Sequence, residues 1–216
     1  MKRVTRQILD QLIERSKELG SCRASIEEGY SLLYECFTTG HKVLTCGNGG
    51  SAADSEHIVG ELMKAFRLPR PLRPEQAKLL RAEFGDDGEA AVAQLQQALP
   101  AISLVSQSSL ITAFANDVSA DMVFAQQVLG YGQSGDVLIA MSTSGRSKNV
   151  VNAAKTARAF GLRVIGLTGE AESPLSDVCS VAVRVPARET ALVQEYHLKV
   201  YHALCAMIEA ELFTDE

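Results

Sequence analysis

Five short apolar runs, each separated from the next by longer sequence of mostly helical pattern, constrain this chain more than any other feature. They are HKVLTCG at 41–47, AISLVS at 101–106, DVLIAMS at 136–142, LRVIGLTG at 162–169 and SVAVRVP at 180–186. An uninterrupted apolar run of this length reads as a strand buried on both faces. Helices are predicted between the runs over about 52–65, in pieces to about 129, over Lys148–Phe160, and from Glu189 to Leu212. Strands alternating with helices imply a parallel sheet covered on both faces, the α/β class. With 216 residues, 46% of them hydrophobic, the chain can bury one sizeable core, so a single domain is expected.

Two further helices are predicted before the first strand, from Ile8, Leu9, Leu12 and Ile13, and from Ile26, Tyr30, Leu33 and Phe37, the second ending near Gly40. Residues 1–40 are therefore read as N-terminal helices packing on a domain that spans 41–216. Within that domain, 70–100 breaks the pattern. PRPLRP leads into a charged helical stretch, then GDDGEA, then a second polar helix ending at Pro100. An insertion of this length points to a lid or binding segment.

The formal net charge is −5, and Lys64, Arg67, Arg70 and Arg73 are scattered rather than blocked. No nucleic-acid partner is expected from that distribution. The first residues lack the unbroken apolar run of a signal peptide, and no long uncharged apolar stretch predicts a membrane span. Five dispersed cysteines without a CxxC pair fit reduced thiols, so a cytoplasmic location is expected.

Two strand-to-helix turns are rich in glycine and hydroxyls: Cys46-Gly47-Asn48-Gly49-Gly50-Ser51 and Ser142-Thr143-Ser144-Gly145-Arg146-Ser147. Such a junction presents backbone N–H groups and the positive end of a helix dipole to an anion. A single turn of this kind can be no more than a helix cap. Two of them, at the carboxyl ends of parallel strands, point to a phosphate. Neither ends in the Gly-Lys-Ser/Thr of a nucleotide P-loop, and neither fits GxGxxG.

His57 and Glu61 stand at i and i+4, on one face of the helix that the first turn opens. The pair can bind a divalent metal, or Glu61 can act as a general base; a solvated surface pair has the same spacing. The last helix carries Gln194, His197 and His202. Spacing alone slightly favours His197 as the partner of Gln194, since His202 lies two turns away, about 12 Å along the axis.

The run CGNGGSAADSEHIVGEL, then FAND at 114–117, then GDVLIAMSTSGRSKNVVNAAKTARAFGLRVIGLTG, then VQEYHLKVYH at 193–202 resembles the SIS-domain family, and within it the phosphoheptose isomerases. The resemblance implies a flavodoxin-like SIS domain with a five-stranded parallel sheet, its two N-terminal helices serving assembly into a homotetramer with sites at subunit interfaces. It implies conversion of sedoheptulose 7-phosphate to D-glycero-D-manno-heptose 7-phosphate, or of a closely related ketose/aldose phosphate pair. By the same resemblance Glu61 and His202 are the catalytic pair. One zinc per subunit is held by His57, Glu61, Gln194 and His202, which favours His202 over His197. Asn48, Gly49, Gly50, Ser51, Asn116 and Asp117 contact the sugar phosphate, together with Glu61 and Gln194, while Ser142, Thr143, Ser144 and Ser147 hold the phosphate.

The chain departs from the isomerase pattern at 70–100, at Ala65 and Ala191, where some isomerases carry a charge, and at Leu192, a frequent arginine. These departures bear on which sugar is taken. A non-catalytic branch of the family, which binds the bacterial replication initiator, shares the fold but lacks the acid and base at the positions of Glu61 and His202. Both are present here, which favours an enzyme over an adaptor. A sugar-phosphate-sensing regulator would need a DNA-binding domain that the short segment before the first strand, dotted with Glu14, Glu18, Glu27, Glu28 and Glu35, does not provide.

Overall fold

The computed structural model describes residues 1–214. Five parallel strands form one sheet: β1 (Val43–Cys46), β2 (Ala101–Ser103), β3 (Val137–Met141), β4 (Arg163–Thr168) and β5 (Val181–Arg184), in the spatial order β2-β1-β3-β4-β5. All five match the apolar runs. Each is trimmed at its ends because the terminal residues of each run turn into the loops.

Strand periodicity divides the core in two. Along β3, Val137, Ile139 and Met141 face one layer, while Leu138 and Ala140 face the other. The first layer is covered by α1 (Arg3–Arg15), α2 (Arg23–Thr38), α3 (Gly50–Met63) and α9 (Thr190–Phe213). The second is covered by α6 (Val123–Tyr131), α7 (Lys148–Ala159) and the five-residue α8 (Pro174–Val178). Between β2 and α6 runs α5 (Ser108–Phe114), continued by a π turn (Ala115–Ser119) and a 3-10 turn. The two N-terminal helices share the first core, with Leu9, Ile26 and Leu33 buried beside the strand residues. No helix among the described residues is long and apolar enough to cross a membrane.

The segment from 70 to 100 holds one helix, α4 (Pro74–Gln94), broken at Gly85, where φ is 55° and ψ −120°. The expected pair of helices is therefore present with the GDDGEA sequence as its break. The second does not continue to Pro100: the chain leaves the helix after Gln94, and Gln96 forms an antiparallel bridge with Pro71. That bridge closes the segment at its base. Leu79 and Phe84 on its outer part are largely exposed.

A buried ion pair anchors the same base. Arg70 and Glu209 are almost fully excluded from solvent, with Arg70 Nε donating to Glu209 Oε1 at 2.8 Å. The Glu209 carboxylate also accepts the backbone N–H groups of Phe66, Arg67 and Leu68. Arg70 in turn donates to the carbonyls of Leu62 and Glu61, in the last turn of α3. Both charges thus have full sets of partners, as burial requires.

Candidate active site

The order β2-β1-β3-β4-β5 reverses direction at β1, so a crevice opens beyond the carboxyl ends of β1 and β3, where open α/β sheets take ligands. The two glycine-rich turns flank this point. In the first, Gly49 adopts φ 57° and ψ −122°, a conformation that L side chains rarely adopt. A Cβ at Gly47 would lie 2.5 Å from the Ser51 carbonyl oxygen. Asn48, Gly49 and Gly50 are exposed and Ser51 is buried. In the second turn, Ser142 and Ser147 hydroxyls lie 3.0 Å apart, and the Ser144 hydroxyl accepts from the Arg146 N–H. Gly145 has φ +64°, and a Cβ there would overlap the Ser173 hydroxyl. Thr143 follows Ser142, its carbonyl accepting from the Gly169 N–H. Paired carboxamides of Asn48 and Asn149 tie the two turns together, each donating to the other at 2.9 Å.

Below the first turn, α3 and α9 run side by side from the same edge of the sheet. Gln194 lies against the turn itself: a Cβ at Gly50 would stand 2.5 Å from its Nε2. Further along, His57 Nε2 is 3.0 Å from Glu61 Oε1 and 3.4 Å from His202 Nε2. One ligand atom from each of these three side chains lies within 4.8 Å of the others. Two imidazole nitrogens and a carboxylate oxygen are a donor set suited to zinc or a similar divalent ion. The other Glu61 oxygen, Oε2, faces the Lys64 ammonium at 3.4 Å. Lys64 therefore brings a cation beside the position where Ala65 lacks one.

Three of the four expected metal ligands are thus brought together, and Gln194 sits at the level of the first turn. Asn116 and Asp117 lie on the exposed π turn and bond to each other, Asn116 Nδ2 donating to Asp117 Oδ1 at 2.8 Å. His197, which spacing slightly favoured, is fully buried and has no hydrogen-bond partner on either ring nitrogen among the described residues. At 100° per residue it lies about 60° to one side of Gln194, whereas His202 lies about 80° to the other, toward α3. The preference from spacing is corrected accordingly.

Burial pushes the His197 pKa down to about 4. Its folded-state pKa is thus below its unfolded one, and acid favours the unfolded chain, which takes up the proton. Stability contributed by a neutral His197 is complete above the ordinary histidine range and is lost as pH falls through it toward about 4. The loss expected there is up to ~3 kcal/mol. Urea melts at neutral and mildly acidic pH measure it, and a His197→Leu variant should show a shallower slope between them.

Two residues at the site were not anticipated. Tyr201 Oη lies 3.1 Å from Asp54 Oδ1 and 3.0 Å from His57 Nδ1. Both were legible as neighbours: Asp54 precedes His57 by one helical turn, and Tyr201 adjoins His202. Burial lowers the His202 pKa, with His57 acting in the same direction and the carboxylates of Glu61 and Asp54 against it. On its other side His202 borders a cavity of about 400 Å³ between α1 and α9, lined by Ile8, Leu12, Arg15, Phe66 and Lys199 among others.

The chain is similar to known proteins over most of its length. The SIS domain family model matches residues 5–90 and 88–169. A phosphoheptose isomerase of Shewanella sediminis is 37% identical over 195 residues, covering 89% of this chain and 86% of the relative. One from Maridesulfovibrio salexigens is 37% identical over 213 residues, covering 95% and 91%. Among solved structures, the phosphoheptose isomerases of Neisseria gonorrhoeae and Francisella tularensis superpose with TM-scores of 0.72, at 30% and 27% identity. They cover 93% and 96% of this chain and 94% and 98% of their own. The chain belongs to the SIS-domain family, in its phosphoheptose isomerase branch.

Proposed function

We propose that the protein interconverts sedoheptulose 7-phosphate and D-glycero-D-manno-heptose 7-phosphate, with Glu61 and His202 as its catalytic pair. The observation that carries this reading is the convergence of Glu61, His57 and His202 along α3 and α9, with α3 opened by one of the two hydroxyl-rich turns at the sheet's switch point. The adaptor alternative gives no reason for an acid and a base at these positions. The relatives named above support the enzyme.

Isomerisation moves a proton from C1 of the ketose to C2 of the aldose and another between the two oxygens. Ser142, Thr143, Ser144 and Ser147 hold the phosphate, and Asn48, Gly49, Gly50 and Ser51 close the other side of it. Asn116, Asp117 and Gln194 orient the sugar chain. The two Glu61 oxygens have different surroundings: Oε1 faces the histidines and Oε2 faces Lys64. Oε1 is therefore the metal-side atom, while Oε2 takes the carbon-bound proton, so one carboxylate serves both roles. His202 moves the proton at oxygen through Nδ1, since its Nε2 faces the His57 side of the cluster. His57, Glu61 and His202 would hold a zinc ion, with Gln194 as the fourth ligand that the resemblance implies. When bound, the ion supplies positive charge against the oxygen that becomes negative in the enediolate.

A homotetramer in the cytoplasm belongs to the same reading. The His57 side chain is 44% exposed in a single chain, more open than proton transfer at carbon favours, and a neighbouring subunit over the site would close it.

The test is aldose formation from sedoheptulose 7-phosphate by metal-analysed protein. Turnover is the expected result. Sugar-phosphate binding without turnover would move the substrate to another ketose phosphate, and neither binding nor turnover would return the protein to the adaptor reading.

A further inference from the structure

Tyr201 is 1% exposed, and its hydroxyl is placed between the Asp54 carboxylate at 3.1 Å and His57 Nδ1 at 3.0 Å. On the far side of the same imidazole, Nε2 meets Glu61 Oε1 at 3.0 Å and His202 Nε2 at 3.4 Å. A phenol has one hydrogen to give, and an ionised carboxylate can only accept. When Tyr201 donates to Asp54, the phenol oxygen is left to accept, and the group facing it is His57 Nδ1. That nitrogen must then carry the hydrogen, which leaves Nε2 with its lone pair directed at Glu61 and His202. Run in the other direction, Tyr201 donates to Nδ1, Nε2–H donates to Glu61, and Asp54 loses its phenol partner. The two directions differ in what Nε2 can hold. Only the first leaves it able to bind a cation.

We propose that Tyr201 and Asp54 are positioning residues: the Tyr201 oxygen receives the Nδ1–H of His57 while its hydroxyl donates to Asp54, which fixes the His57 ring with Nε2 presented to a divalent cation shared with Glu61 and His202. The assignment rests on the metal site of the preceding section and deepens it. Outer partners of this kind orient a ligating histidine and raise its basicity, and losing one typically weakens metal binding 10- to 100-fold. Tyr201 also packs edge-on against the His57 and His202 rings, with centroids at 5.6 and 4.9 Å. Replacement by Phe keeps that packing and removes the hydroxyl alone.

The experiment titrates zinc and cobalt(II) into metal-free wild type, Tyr201→Phe and Asp54→Asn, reading the dissociation constant and the cobalt absorption bands. In parallel, proton NMR of the zinc-loaded proteins observes the His57 Nδ1–H, and melting of the metal-free proteins checks the fold. Tyr201→Phe should melt close to wild type yet bind both ions about 10- to 100-fold more weakly. Its Nδ1–H resonance, visible in wild type because the phenol shields it from exchange, should vanish. Asp54→Asn should weaken binding by a smaller factor, since an amide oxygen still accepts from Tyr201. Unchanged affinity together with a retained Nδ1–H resonance in Tyr201→Phe overturns this assignment alone. Failure of wild type to bind either ion overturns the metal reading and this assignment with it.

Discussion

Glu61→Gln is expected to lower kcat for isomerisation by about a thousandfold, within the range ascribed to a positioned general base, while the sugar phosphate still binds. Gln keeps the shape of the side chain and both polar atoms, but it cannot take a proton from carbon. The first phosphate turn lies nearly three helical turns away at the other end of α3 and the second precedes α7, and among the described residues no side-chain hydrogen bond of either turn reaches Glu61. Affinity for the sugar phosphate, measured by calorimetry, should therefore change only a few-fold. Because Oε1 also faces His57 and His202, the variant is assayed at saturating zinc, so that weaker metal retention is not read as loss of the base. Equal losses of binding and turnover would sink the assignment of Glu61 as the base.

The second large effect is on stability. Glu209→Ala removes the acceptor for Arg70 Nε and for three backbone N–H groups at once, at a site about 1% exposed. Breaking a buried pair from one side costs about 3–5 kcal/mol, because the remaining charge is left without a partner. For a chain of this size that corresponds to a fall in Tm of roughly 6–20 °C, readable by calorimetry. Replacing both partners with apolar residues, as in Arg70→Met with Glu209→Met, should recover much of the loss. If the single variant melted like wild type, the pair would not hold the base of the 70–100 segment as described. Loss of activity should accompany loss of stability. Arg70 reaches the Glu61 carbonyl, and Phe66, whose N–H is held by Glu209, lies 5.6 Å from the His202 ring.

What the sequence revealed follows from how local each signal is. The five strands were readable because runs such as VLIAM are buried on both faces, and no exposed helix tolerates such a run. The two turns were readable because the positive φ of Gly49 and Gly145 is a demand of the turn itself, whereas the room that Gly50 and Gly145 leave for Gln194 and Ser173 was not. The short helix Pro174–Val178 was missed, since five residues are too few to show a period. The Arg70–Glu209 pair was invisible because its partners lie 139 residues apart. His202 shows a subtler limit. Most of the inner half of α9 is buried, so periodicity along it does not mark one face as functional. Spacing along it does not separate His202 from His197; the family resemblance does, and the packing of α3 brings His202 to His57 and Glu61. Residues 70–100 were legible as an interruption but not as a segment bolted to the catalytic helix, because Arg70 bends back to the Leu62 and Glu61 carbonyls without a periodic signal and the Leu99 N–H reaches Leu62 from the far end of the segment.

The most direct test of the central claim is conversion of sedoheptulose 7-phosphate in D2O, with the product followed by NMR. A carboxylate that takes the C1 proton can exchange it with solvent before returning one to C2. The account predicts that wild type forms the aldose with deuterium at C2 and that Glu61→Gln at saturating zinc forms almost none. Conversion with no deuterium at C2 that Glu61→Gln fully retains would mean that the hydrogen passes between the two carbons without this carboxylate. That result would contradict Glu61 as the base at the centre of this site.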